Sequence, residues 1–167
     1  DLTDEKREDM VIKMNSLSNQ RAMEDTAGML EFLKSETAAK PGPKGCIGYC
    51  MSGQYVVSAA GTFPDDFAAA VSIYGVKIVT DEEDSPHLLV GQTKGELYFA
   101  FAEMDRHVPD NVIPDLKAAL NQERVTYQMD VWPGTEHGFC FPQRPFYVED
   151  AAEKVWEIAF ALFKRRL

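Results

Sequence analysis

Cys46-Ile47-Gly48-Tyr49-Cys50-Met51-Ser52-Gly53 is the stretch on which the fold turns. Positions 46–50 form a short apolar run, and a helix-like stretch follows at once through Ala60. Just upstream, Lys40-Pro41-Gly42-Pro43-Lys44 ends any helix, because two prolines and a glycine cannot continue one. The segment therefore reads as strand, tight turn, helix. Its centre has the form small-x-nucleophile-x-small, a nucleophile elbow. Such a turn strains the backbone at the nucleophile and needs small residues at Gly48 and Ser52, so that strand and helix can approach. It sets Cys50 at a helix N-terminus, where the dipole favours a thiolate. The Met51 N–H is then a candidate oxyanion donor.

The same alternation extends outward in both directions. Upstream, residues 1–17 and 22–36 carry helical periodicity, with Met10, Val11 and Met14 on one face and Ala22, Met29, Leu30 and Leu33 on another. Downstream, strands are predicted over 67–74, 97–102 and 125–131, and helices over 110–121 and 148–164. The last helix presents Ala152, Val155, Trp156, Ala159, Phe160 and Phe163 as an apolar face. Strands separated by helices predict an α/β architecture, a mostly parallel sheet with helices on both faces.

Composition narrows the functional classes. The 167 residues carry a formal net charge of −10, with 45% hydrophobic and 26% charged residues, which suits one globular domain spanning 1–167. The one basic cluster, Lys164-Arg165-Arg166, reads as a helix terminus, so no nucleic-acid partner is expected. No run approaches the length of a membrane-spanning helix, and no membrane partner is expected. Cys46, Cys50 and Cys140 are too few for a disulfide framework, and Cys46 and Cys50 are not a CxxC pair. Three histidines at scattered positions suggest no metal cluster. The chain opens at Asp1 with neither Met nor a signal sequence, and the cytoplasm is the default expectation.

In open parallel sheets, functional groups gather beyond the carboxyl ends of the strands. Cys50 follows the first strand, Asp105 the third and His137 the fourth. Asp105, in Glu103-Met104-Asp105-Arg106-His107-Val108-Pro109, can accept an imidazole Nδ1–H and fix its tautomer. His137 sits among small residues in Pro133-Gly134-Thr135-Glu136-His137-Gly138-Phe139, where a ring can project into a cleft. His107 is a rival histidine, although two residues from the acid it would have to double back.

These motifs resemble the dienelactone hydrolase (carboxymethylenebutenolidase) family. G-Y-C-M-S-G is similar to that family's G-x-C-x-G-G, with Ser52 replacing a glycine. Asp105 with Val108-Pro109 is similar to its D-x-x-V-P acid loop, with Ala102 where a glycine is usual. Gly134-Thr135-Glu136-His137-Gly138-Phe139 resembles its histidine loop, and Arg144-Pro145-Phe146-Tyr147 also looks like family sequence. The order nucleophile, acid, histidine is that of α/β-hydrolases. The resemblance implies that fold and a triad of Cys50, Asp105 and His137.

Members are longer, and this chain corresponds to the C-terminal two-thirds of them. The expectation is a domain lacking its early strands, with one raw sheet edge. The second oxyanion donor and a glutamate that pairs with the resting thiol would belong to that absent part. Arg7 falls where the family has an arginine for a substrate carboxylate, a task suited to a guanidinium fork. Phe141 replaces a second such arginine, with Arg144 nearby, and Tyr74-Gly75 resembles a loop near the pocket. Cys46 and Cys140 read as structural.

The expected activity is opening of a lactone or cleavage of a small carboxylic ester through an acyl-thioester on Cys50, with no cofactor and no metal. Thiolates expel amines poorly, which disfavours peptides. A generic carboxylesterase of the same fold and a non-catalytic binding module are the alternatives, and a monomer or weak homodimer is expected.

Overall fold

The computed structural model describes residues 3–167. Four parallel strands, β1 (Lys44–Tyr49), β2 (Phe67–Ile73), β3 (Glu96–Met104) and β4 (Tyr127–Glu136), lie side by side in chain order. Helices α1 (Asp4–Asn15) and α2 (Asn19–Ser35) precede the sheet, and α3 (Met51–Thr62), α4 (Val112–Gln122) and α5 (Glu149–Arg166) follow β1, β3 and β4. A 3₁₀ helix at Pro86–Gln92 lies between β2 and β3.

Side-chain alternation along the two central strands divides the core. Ala69, Val71 and Ile73 of β2 and Tyr98, Ala100 and Ala102 of β3 face α5, where they meet Ala152, Val155, Ala159 and Leu162. Ala70 of β2 and Leu97, Phe99 and Phe101 of β3 face the other way. There they pack on Val56, Val57 and Ala60 of α3 and on Leu116 and Leu120 of α4. Both faces of β2 and β3 are thus covered, which is why 67–73 and 97–102 read as near-continuous apolar runs.

The predicted strands and helices all form, with three differences. β4 runs on to Glu136 through Pro133, which the sequence reading placed in a loop. A proline lacks an N–H, and an edge strand such as β4 has an unpaired side where that loss is harmless. The 3₁₀ helix was not foreseen, because its seven residues carry no helical period. The third difference concerns α1. It forms, capped by the Thr3 hydroxyl accepting from the Lys6 N–H, yet buries no residue. Met10, Val11 and Met14, its predicted inward face, are exposed. Helix α2 docks through Leu30 against Ala59 and Phe67, while Met29, expected on that face, points outward.

Candidate active site

The elbow has the expected geometry and shows why its residues are small. Cys50 has φ 51° and ψ −118°, a region that side chains rarely occupy and that costs on the order of 1–3 kcal/mol. Backbone bonds hold it there: its N–H donates to the Ile73 carbonyl at 3.1 Å, and its carbonyl accepts from Gly53 at 3.0 Å and Val76 at 3.1 Å. A Cβ on Gly48 would lie 2.3 Å from the Ser52 carbonyl oxygen. A Cβ on Gly53 would lie 2.4 Å from the Gly75 Cα, so α3 starts in contact with the loop after β2. Ser52 is more than a small residue. Its hydroxyl accepts from the Tyr49 N–H at 2.8 Å and donates to the Tyr49 carbonyl at 2.9 Å, closing the turn on itself.

The other two strand ends bring Asp105 and His137 together. Asp105 Oδ2 accepts from His137 Nδ1 at 2.7 Å, and its Oδ1 accepts the backbone N–H of His107 at 2.9 Å. The Asp105 side chain is only 3% exposed and that of His137 18%, so the bond forms largely out of water. The register of β3 and β4 shifts between Ala102 and Met104, just before the acid loop. The Gly134 N–H donates to Glu103 Oε2 at 2.8 Å and ties the histidine loop to the acid loop. Positive φ at Gly134 (68°) and Gly138 (91°) turns the chain on either side of His137.

Cys50 stands at the end of β1. Its interaction with His137 holds the thiol below its ordinary pKa, outweighing burial and the charge of Asp105; the Met51 N–H acts in the same direction. Burial disfavours the charged form of His137, but hydrogen bonds with Asp105 and Cys50 prevail and raise its pKa to about 9. Cys46 and Cys140 contrast with Cys50: burial pushes each thiol up to about 12.

A cleft of about 380 Å³ opens over Cys50. Met51, Gln54, Tyr55, Val76, Lys77 and His107 form one wall, and Met14 and Leu17, from the end of α1 and the link to α2, belong to the other. Arg7 is not among the lining residues. It is exposed on α1, seven residues before Met14, or roughly 10 Å along the helix axis. Tyr74 is 2% exposed and its ring lies 5.0 Å from that of His137, behind the imidazole rather than in the cleft. Phe141 packs on Tyr49 at 5.1 Å, and Arg144 is exposed beside Gly138; neither lines the cleft. Lys77 escaped the sequence reading, although its place just after β2 was the available signal. Among the described residues, no cluster of His, Cys, Asp or Glu is arranged to hold a metal ion, and no helix is long and apolar enough to cross a membrane.

A parallel sheet flanked by helices, with a cysteine on a strained elbow and an Asp–His pair at the neighbouring strand ends, defines an α/β-hydrolase fold. Comparison narrows the class. The sequence profile of the dienelactone hydrolase family matches residues 2–167, and the chain belongs to that family. It is 27% identical over 153 residues to a Synechocystis protein named as a carboxymethylenebutenolidase, covering 90% of this chain and 61% of that one. A Bradyrhizobium protein named as a 2-oxo-3-(5-oxofuran-2-ylidene)propanoate lactonase is 22% identical, with 89% and 61% covered. The chain thus spans about three-fifths of the length of these curated relatives. Among solved structures, m3DLH superposes with a TM-score of 0.78 at 19% identity, covering 99% of this chain and 70% of that one.

Proposed function

We propose that the protein hydrolyses small carboxylic esters or lactones through a thioester on Cys50. The observation that carries this reading is geometric: Cys50 stands on a strained elbow, and His137, bonded to Asp105 at 2.7 Å, lowers the pKa of its thiol. The Cys50 thiolate attacks the carbonyl carbon, forming the C–S bond, and the oxyanion accepts the Met51 N–H. Collapse breaks the acyl C–O bond, and the departing alkoxide or enolate takes the His137 proton. Neutral His137, oriented by Asp105, then deprotonates a water that attacks the thioester. Cys50 leaves as thiolate, and the imidazolium is restored.

The names of the Synechocystis and Bradyrhizobium relatives support a lactone or enol ester as substrate. A second reading, a general small-ester hydrolase, is favoured by the cleft itself. Arg7 and Arg144 stand outside it, and among the described residues Lys77 is the one Lys or Arg on its lining. A chromogenic aryl acetate tests the chemistry common to both. A pre-steady-state burst of about one equivalent, lost in Cys50→Ala, is expected. Activity retained in that variant would overturn the nucleophile, and no burst from the folded chain would point to an incomplete site or to a binding module.

A further inference from the structure

His107 has no role in the chemistry above, yet it is bonded to Asp105, packs on His137 and shares the cleft lining with Cys50. Its ring lies edge-on to His137, centroids 4.8 Å apart and planes at 68°. Its backbone N–H occupies the Asp105 oxygen that His137 leaves free. Its side chain lines the cleft together with Cys50 and Met51.

We propose that His107 is a positioning residue that holds the His137 ring in the orientation joining Asp105 to Cys50. An imidazole rotates about χ2 in a broad, two-fold well, so its single bond to Asp105 does not by itself fix the far edge of the ring. His137 also sits on a loop with two positive-φ glycines. Two aromatic neighbours supply the missing restraint. Buried Tyr74 packs on the ring from the core, and exposed His107 packs from the cleft. Edge-to-face packing of this kind is a directional contact. His107 is itself held by its backbone bond to Asp105 and by Arg106 Nε, which donates to its Nε2 at 3.4 Å.

This inference rests on Cys50 and His137 being the reacting pair, and the test separates the two. His107→Ala and His107→Phe are compared with the unaltered chain and with Cys50→Ala. The readouts are kcat and KM on an aryl acetate, together with the pH profile of Cys50 alkylation by iodoacetamide, located by mass spectrometry. His107→Ala is expected to lower kcat about tenfold or more with little change in KM, as a misplaced catalytic group does. It should also move the alkylation midpoint up towards the free-thiol value of about 8.5. His107→Phe keeps a ring and no proton, and is expected to restore most of kcat and the low midpoint. A His107→Phe as impaired as His107→Ala would overturn the proposal, since a nitrogen rather than the ring would then matter. Unchanged kcat and midpoint in His107→Ala would overturn it too. Full activity in Cys50→Ala would sink the thioester reading alone, because the alkylation profile reports on the contact without any turnover.

Discussion

Asp105 divides its two carboxylate oxygens between two histidines: Oδ2 holds the ring of His137 at 2.7 Å, and Oδ1 holds the backbone of His107 at 2.9 Å. The acid therefore sets a tautomer and shapes its own loop at once. Asp105→Asn separates the two functions. An amide can still accept the His107 N–H, but an NH₂ facing Nδ1 imposes the wrong tautomer. Turnover should fall by roughly 10³–10⁴, as stopped-flow would record.

The pH dependence follows from His137 lowering the Cys50 thiol and from Asp105, with Cys50, raising His137. On the proposed mechanism, an imidazolium–thiolate pair forms above the lowered pKa of Cys50 and below the His137 value of about 9. A profile of kcat/KM is expected to rise at a pH below that of an ordinary thiol and to decline near 9. Stability has its own sign. His137 is raised on folding, so its contribution is complete below the unfolded value of about 6.5 and is lost as pH climbs through about 9. Melting temperature should therefore drop between pH 7 and 10, and drop less in His137→Gln.

Gly48→Ala tests the elbow. The added methyl would meet the Ser52 carbonyl, a backbone atom that cannot swing away. Overpacking of this kind costs about 1–3 kcal/mol, which denaturant titration would resolve. The Cys50 burst should weaken with it, because Ser52 and Tyr49 close the turn.

Lys77→Met distinguishes the cations. It should raise KM for an ester bearing a carboxylate and leave a neutral ester of the same size unaffected. Arg7→Ala should alter neither, since Arg7 stands away from the cleft. A selective loss in Arg7→Ala would show that α1 approaches the substrate more closely than its position indicates.

Cys50, Asp105 and His137 were legible because each follows a strand, and a parallel sheet carries all such positions to one edge. The core was legible for a related reason: strands covered on both faces leave unbroken apolar runs such as Phe67–Ile73. What failed to show was set by distance in sequence. Met10, Val11 and Met14 make a credible inward stripe, but periodicity states only that a face exists, not that anything meets it. The residues from 75 to 95 have no period to read, and Lys77 lies among them. The nearness of His107 to His137 depends on β3 and β4 being neighbours, which no local pattern encodes.

The cleft joins two unlike walls. The Cys50 wall rises from the start of α3 and the loops after β2 and β3, elements that pack on the sheet. The Met14 and Leu17 wall hangs on a helix that buries nothing. Substitutions there are nearly free of folding cost. They can reshape the cleft while the packing around Cys50 stays as it is.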